Sequence, residues 1–202
     1  MFGDPRSNPR SLPAVPLGDI ATLFAGASLP AGVPFEGQDG GHFLLKVSDM
    51  NRAGNEMRID SCAAWAEPPG ARSATSPAGS IVFPKRGGAI GTNKKRITTR
   101  PSILDPNLMA VDPQPGSVGL EYLFQWFLFL DLAEIATGSS VPQLNKRDLR
   151  PLQVPLPSLA AQETFAGCVH RVAGLRVRGE RQSNHIDTLV ASLQARAFAG
   201  EL

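Results

Sequence analysis

The 202-residue sequence is poor in the residues and patterns that mark several large protein classes. Its two cysteines, Cys62 and Cys168, are too few for the disulfide framework of a small secreted domain. No apolar run approaches the roughly 18 residues of a membrane span, and the first residues lack the apolar segment of a signal peptide. We therefore expect a cytoplasmic protein that does not enter a membrane.

Motifs of the common catalytic sites are missing as well. The sequence contains neither G-x-x-x-x-G-K-S/T nor G-x-G-x-x-G for nucleotides, and no G-x-S-x-G elbow for a serine nucleophile. Its three histidines have no companions at metal-ligand spacing. The tripeptide at residues 105–107, DPN, lacks the second proline and the aromatic residue of the amino-methyltransferase motif. These observations favour a binding protein that is not an enzyme, with no metal and no cofactor in this chain.

Positive charge is concentrated in one stretch, residues 82–100, VFPKRGGAIGTNKKRITTR. It holds six lysines and arginines, three glycines and no acidic residue, although the net charge of the chain is only +2. Clustered lysines and arginines neutralise polyanions, and glycines allow the backbone to approach a ligand closely. A solvated hairpin between two strands is the alternative at this point, because basic loops are common on protein surfaces.

Short apolar runs separated by proline, glycine and polar residues fill the sequence up to residue 157. Most of these runs read as strands, and the apolar segment 116–136, GSVGLEYLFQWFLFLDLAEIA, predicts a helix. The fold class expected is α+β, with a mixed α/β domain containing a twisted sheet over residues 1–157.

A long helix is predicted over residues 158–202, where the composition changes sharply. No proline occurs from Leu159 to Phe198, and apolar residues follow a heptad repeat at both ends of the segment while its middle is polar. About 38 helical residues span roughly 57 Å, so the apolar stripe calls for a partner helix. The alternative is a chain that folds back at Gly179 into a short helical hairpin.

Four stretches together resemble the specificity subunit of type I restriction–modification systems. They are the opening MFGDPRSNP…PLGDI, the loop IVFPKRGGAIG, the segment GSSVPQLNKRDLRPLQVPLPSLAAQE, and the ending LVASLQARAFAGEL. They span nearly the whole chain in the order found in that family.

The resemblance implies a non-catalytic subunit that binds double-stranded DNA and reads one half of an interrupted target. It implies as partners the modification subunits, which use S-adenosylmethionine, and the restriction subunit, which uses ATP and Mg²⁺. A rival interpretation is an interaction fragment that reads no DNA and modulates a full-length specificity subunit through its helix.

Candidate residues follow from the basic stretch and the resemblance together. We expect DNA contacts from Lys85, Arg86, Asn93, Lys94, Lys95 and Arg96, with Lys46 and Asp49 as second candidates. Lys146 and Arg147 either contact DNA as well or only begin a helical turn. Dimerisation is expected through the residues that we call the apolar seam: Phe165, Val172, Leu175, Ile186, Leu189 and Leu193.

One recognition domain and one helix are present, whereas members of that family commonly carry two of each. The departure is consistent with a natural half-subunit, with a split or phase-varied gene product, or with a truncated remnant. As a half-subunit, the chain is expected to pair with a second copy or with a homologous half-subunit. Antiparallel pairing of two such helices would suit a target made of two inverted half-sites.

Overall fold

The computed structural model describes residues 1–67, 75–138 and 140–200. The composition of residues 66–79, AEPPGARSATSPAG, predicts a loop. This stretch and the segment GSSVPQLNKRDLRPLQVPLPSLAAQE, residues 138–163, lie partly outside the described residues. The strands are β1 (Ala14–Pro16), β2 (Ala21–Ala25), β3 (Val33–Pro34), β4 (His42–Leu45), β5 (Arg58–Ile59), β6 (Ala64–Ala66), β7 (Thr75–Ser76), β8 (Ile81–Pro84), β9 (Arg96–Thr98), β10 (Ser102–Leu104), β11 (Leu108–Pro113) and β12 (Gln153–Pro155). The helices are α1 (Leu17–Ile20), α2 (Leu120–Phe129), α3 (Leu132–Ile135), α4 (Lys146–Leu149) and α5 (Leu159–Ala199), with 3-10 helices at Val47–Asn51 and Gly87–Thr92.

Most strands belong to two five-stranded sheets rather than to a single one. One has the order β2-β11-β8-β9-β5 and the other β3-β6-β4-β10-β7. Neighbours are antiparallel except for β5 with β9 and β4 with β10. The α+β fold class is thus confirmed.

The main core lies between the two sheets. Phe43 and Leu45 from β4 are packed in one buried cluster with Val82 from β8 and Ala110 from β11. The predicted apolar helix supplies a further layer, because Phe127 of α2 stacks on Phe83 of β8 with ring centroids 5.5 Å apart. Burial of these large side chains is the dominant stabilising contribution to such a domain.

The predicted helix at 116–136 is interrupted. α2 ends at Phe129, Leu130 is extended, and α3 starts at Leu132 with the Asp131 side chain accepting a hydrogen bond from the amide of Ala133. The break leaves the carbonyl of Leu130 outside any helix.

A two-stranded sheet closes the domain. β1 pairs with β12 in antiparallel register, with Val15 opposite Val154. The amides of Leu17 and Gly18 extend this contact by donating to the carbonyls of Leu152 and Arg150. The opening PLGDI, residues 16–20, and the later LRPLQVPLP, residues 149–157, are therefore neighbours in space.

α5 is continuous from Leu159 to Ala199, and the alternative of a hairpin at Gly179 is wrong. Its 41 residues give a length of about 62 Å. The chain divides into two compact units, Met1–Gln162 and Glu163–Leu202. Among the described residues no helix is both long and apolar enough to span a membrane.

Candidate nucleic-acid interface

The basic stretch and the QLNKRDL segment are held together by backbone hydrogen bonds. The amide of Gly87 donates to the carbonyl of Pro142 at 2.8 Å, and the amide of Leu144 donates to the carbonyl of Lys85 at 2.9 Å. Arg86 and Gln143 form an isolated β-bridge, and the guanidinium of Arg86 lies 3.4 Å from the Gln143 side-chain oxygen. Two segments separated by more than 50 residues thus form one surface.

Three cations meet on this surface: Lys85, Arg86 and Lys146, which we call the basic cluster. Lys85 is half-buried, and this burial, followed by the positive charges of Arg86 and Lys146, lowers its pKa, while the Asp105 carboxylate raises it. Like charges placed this close repel one another, so the cluster is suited to an anionic partner whose binding relieves the repulsion.

The short helix α4 presents Lys146 and Arg147. Its first turn is fixed by a capping box in which Asp148 accepts from the amide of Asn145, at 2.8 Å, and the Asn145 side chain accepts from the amide of Asp148. Arg147 is exposed and lies 3.5 Å from an Asp148 oxygen. Such an exposed ion pair contributes little to stability, so Arg147 is available to another anion.

Lys94 and Lys46 both lie beside the 3-10 helix Val47–Asn51. The Lys94 ammonium donates to the side-chain oxygen of Asn51, at the end of the 3-10 helix Val47–Asn51, and Lys46 is exposed at the start of that helix. Asp49 has a structural role instead, because its buried carboxylate accepts from the amides of Lys46 and Ala63 at 2.9 and 2.8 Å. It cannot contact DNA while it holds these amides.

Arg96 is half-buried, and burial lowers its pKa while the Glu56 carboxylate raises it. Its guanidinium donates to the carbonyl of Lys95 at 2.8 Å. Part of the guanidinium is therefore used inside the domain, which leaves less of it for a phosphate.

Lys95 and Asn93 occupy positions that do not agree with direct DNA contact. Lys95 is 2% exposed, and its ammonium donates at 2.7 Å both to the carbonyl of Leu130 and to the side-chain oxygen of Asn93. The side-chain NH2 of Asn93 donates to the carbonyl of Leu130 at 3.1 Å, and the side-chain oxygen of Asn93 accepts from the backbone amide of Leu132 at 3.0 Å. Burial lowers the Lys95 pKa to about 8.

The glycines between these cations leave the backbone accessible. A Cβ added at Gly88 or Gly91 would meet no atom within 4 Å, and Gly87 has a φ of +69° that disfavours any side chain. On the opposite side of the same 3-10 helix, Ile90 is buried and anchors the turn. The loop is thus fixed on one side and open on the other.

The apolar seam is largely exposed. Val172, Leu175, Ile186, Leu189 and Leu193 are each among the exposed large hydrophobic residues, and Phe165 is half-buried. Exposed apolar residues repeated at heptad spacing are typical of a helix that pairs with another helix.

Gln143 and Asn51 are surface partners that sequence reasoning missed. Both are uncharged and lie far along the chain from the cations they contact, so only the β-bridge and the tertiary fold reveal them. Within the described residues no group of three or more histidine, cysteine, aspartate or glutamate side chains could hold a metal ion.

Comparison of the sequence with known proteins finds one kind of relative. No protein-family profile matches the chain. It is 32% identical over 98 residues to the type I restriction enzyme EcoDI specificity subunit of Escherichia coli, a match that covers 45% of this chain and 22% of the relative.

Solved structures resemble the chain over nearly its full length. The HsdS subunit from Thermoanaerobacter tengcongensis matches 96% of this chain with a TM-score of 0.63 and 18% identity. A structure from work on complex assembly and conformational transition of a type I restriction–modification system matches the same share with a TM-score of 0.65 and 19% identity. The chain spans 46% and 47% of those two neighbours, so it corresponds to about half of each.

Proposed function

We propose that this chain, which resembles type I specificity subunits in sequence and fold, is a sequence-specific DNA-binding subunit that performs no chemistry itself. In this proposal the unit Met1–Gln162 binds one half of a bipartite DNA target. The rest of the assembly supplies catalysis.

The observation that carries the proposal is the basic cluster. Backbone pairing brings Lys85 and Arg86 beside Lys146, next to a loop whose glycines expose the backbone. Lysines and arginines on such a surface contact DNA phosphates, and arginine or lysine can also read guanine in the major groove. Arg86, with Gln143 at its guanidinium, has the donors for that second task.

Partners and cofactors follow from the same proposal. The chain would deliver DNA to modification subunits that use S-adenosylmethionine and to a restriction subunit that uses ATP and Mg²⁺, and would need no cofactor of its own.

A second copy, or a homologous half-subunit, is proposed to cover the apolar seam. If two α5 helices pair antiparallel, one register places Val172 opposite Leu189, Leu175 opposite Ile186 and Cys168 opposite Leu193. Gly179 of each copy then faces Gln182 of the other at the centre, so every mismatch of the seam except Phe165 with Arg196 falls in these two symmetric central layers.

Charge also favours the antiparallel arrangement over a parallel one. In a parallel pair, Arg171 of one copy would face Arg176 of the other along both edges of the seam. In the antiparallel register Arg176 faces Ser183, Arg171 faces Ser192, and Val169 faces Val190, so no arginine meets an arginine.

The exposed seam also favours a second candidate function, an interaction fragment that joins a full-length specificity subunit without reading DNA. The two candidates differ in the methylation pattern they produce. The DNA-reading subunit creates methylated sites when expressed with modification subunits alone, whereas the fragment creates none without the full-length subunit.

The test is methylome sequencing of cells that carry the modification subunits with this chain, without it, or with variants of it. We expect a bipartite methylated sequence that appears only with this chain. The Arg86→Ala, Lys146→Ala double variant should weaken duplex binding and lower the salt slope of binding by about 2, because two phosphate contacts are lost.

The matched control is the Arg10→Ala, Arg181→Ala double variant, which removes the same charge from exposed positions outside the basic cluster. It should leave the salt slope nearly unchanged. An equal loss in both double variants would mean that only net charge matters and would remove the basic cluster from the interface.

A further inference from the structure

Lys95 is the most deeply buried cation in the described part of the chain, although it lies in the middle of the basic stretch. Its side chain is 2% exposed, whereas Lys94 and Arg96 on either side are half-exposed. Both hydrogen bonds of its ammonium go to oxygens of the domain, the carbonyl of Leu130 and the side chain of Asn93. A phosphate therefore has no access to it.

Asn93 and Lys95 together join the end of the glycine loop to the break between α2 and α3. Asn93 ends the 3-10 helix Gly87–Thr92 in a left-handed conformation, with its amide donating to the carbonyl of Ile90 at 2.9 Å. Its side chain then bonds Leu130 and Leu132, and Lys95 bonds both Asn93 and Leu130. We call these two residues the clamp.

The chemistry of the clamp is better suited to holding the backbone in place than to stabilising the fold. Burial disfavours the charged form of a lysine, and the pKa of about 8 reflects this. A methionine would fill a similar volume without that penalty. The carbonyl of Leu130, in the extended break between α2 and α3, is nevertheless a backbone acceptor that needs a donor, which a lysine supplies over a long reach.

The clamp residues adjoin the cations that flank the glycine loop. Lys94 lies between Asn93 and Lys95 in the sequence. Arg86 precedes the 3-10 helix Gly87–Thr92, which Asn93 follows. Movement of Asn93 would therefore shift the cations on both sides of the open glycine loop.

We propose that Lys95 and Asn93 are positioning residues that hold the glycine loop and its flanking cations in the arrangement that binds DNA phosphates. The inference rests on the proposed DNA-binding function, and it assigns to these two residues a role that involves no DNA contact of their own.

The experiment compares Lys95→Met, Asn93→Gly, the double variant and Lys94→Met in the full chain. Glycine at 93 retains the left-handed backbone while removing the side-chain amide. Affinity for a mixed-sequence duplex of about 30 base pairs is measured across salt concentrations, since non-specific phosphate binding needs no knowledge of the target. Thermal unfolding and amide hydrogen exchange are measured on the free protein.

Asn93→Gly gives the sharpest result, because it removes no charge. We expect it to lower duplex affinity about tenfold and to reduce the salt slope, since displaced cations lose their phosphates. Lys95→Met should do the same with an unchanged or raised unfolding temperature. The double variant should lose little more than either single one, because both act on the same clamp.

Lys94→Met serves as the comparison for a direct contact. It should lower the salt slope by about 1 and leave exchange of the Leu132 amide unchanged. In Lys95→Met, by contrast, that amide, which donates to Asn93, should exchange about tenfold faster.

Two outcomes would overturn the inference. Unchanged duplex affinity in a folded Asn93→Gly or Lys95→Met variant would show that the clamp does not position the cations. Additive losses in the double variant would show that Lys95 acts independently of Asn93. If the unaltered chain binds no duplex, the proposed function fails first and the positioning role with it, whereas the exchange measurement still reports whether the clamp holds the loop.

Discussion

Gly26 lies at the end of β2, where the backbone passes too close to the chain at Asp105 for any side chain. A Cβ at this position would lie 1.7 Å from the Asp105 carbonyl oxygen and 2.6 Å from its carbon. The contacting atoms are backbone, so no rotamer change can make room. We expect Gly26→Ala to lower the free energy of unfolding by about 3 kcal/mol or more, as measured by denaturant unfolding.

Gly88→Ala is the control for that substitution, since a Cβ at Gly88 meets nothing within 4 Å. Its unfolding free energy should stay within about 0.5 kcal/mol of the original. Similar losses in both variants would show that the close approach at Asp105 does not set the cost.

Lys95 makes stability depend on pH in a direction opposite to that of most surface lysines. Its pKa falls from an ordinary 10.5 to about 8 in the folded chain, so between these values the unfolded chain retains a proton that the folded chain has lost. Stability therefore rises with pH across this window.

We expect the original protein to gain roughly 2–3 kcal/mol relative to Lys95→Met between pH 7.5 and 10, measured by urea unfolding at each pH. Taking the difference between the two proteins cancels the titration of all other groups. A difference that stays constant, or that falls as pH rises, would contradict a buried ammonium at this position.

The sequence identified the cations of the basic stretch but could not distinguish their roles. Lys94, Lys95 and Arg96 look equivalent in the sequence, and only the fold shows that Lys95 turns inward. Its acceptor is the carbonyl of Leu130, 35 residues away. A contact of that kind depends on where α2 stops, which composition and spacing do not determine.

The sequence predicted the long regular helix well and short local patterns poorly. The proline-free segment after Pro157 predicted α5, and the structure confirms one continuous helix, Leu159–Ala199. Leu17, Ile20, Leu23 and Phe24 follow helical spacing, yet Leu23 and Phe24 lie in β2, where pairing with β11 outweighs a short local pattern.

α5 offers a test of its own pairing through Cys168, which is a free thiol on the seam side of the helix. In the antiparallel register Leu193 faces Cys168 of the other copy, so Leu193→Cys should form a cross-linked dimer on mild oxidation. Non-reducing gel electrophoresis measures it. Cys62 should not interfere, because burial raises its pKa to about 11.

Leu189→Cys is the matched control, since position 189 faces Val172 in this register and not Cys168. It should cross-link far less than Leu193→Cys. Efficient cross-linking of the unaltered chain through Cys168 alone would indicate parallel helices and would exclude the register proposed here.

At the scale of the whole molecule, α5 is expected to act as a ruler. Antiparallel pairing puts the starts of the two helices at opposite ends of the pair, so helix length sets the separation of the two half-sites. Adding one heptad to each helix near Gly179 preserves the seam and lengthens the pair by about 10 Å.

That added length corresponds to about three base pairs of B-DNA at roughly 3.4 Å each. Methylome sequencing should therefore find the same half-sites with a spacer about three positions longer, less any compensation by DNA bending or twisting. Methylation at the original spacing with full efficiency would rule the ruler out. Sedimentation of the purified variant shows whether it still dimerises.

The pairing of β1 with β12 has a consequence for inheritance. β1 and β12, which begin and close the domain, are hydrogen-bonded neighbours. The 136 residues between Pro16 and Gln153 therefore form a module that joins the rest of the chain at one place. If the chain binds DNA as proposed, genetic exchange with crossovers in these two strands would replace the basic cluster, the clamp and the glycine loop together while leaving α5 untouched. A new DNA specificity could then arise in one recombination event, without any change in the helix that is proposed to pair with another subunit.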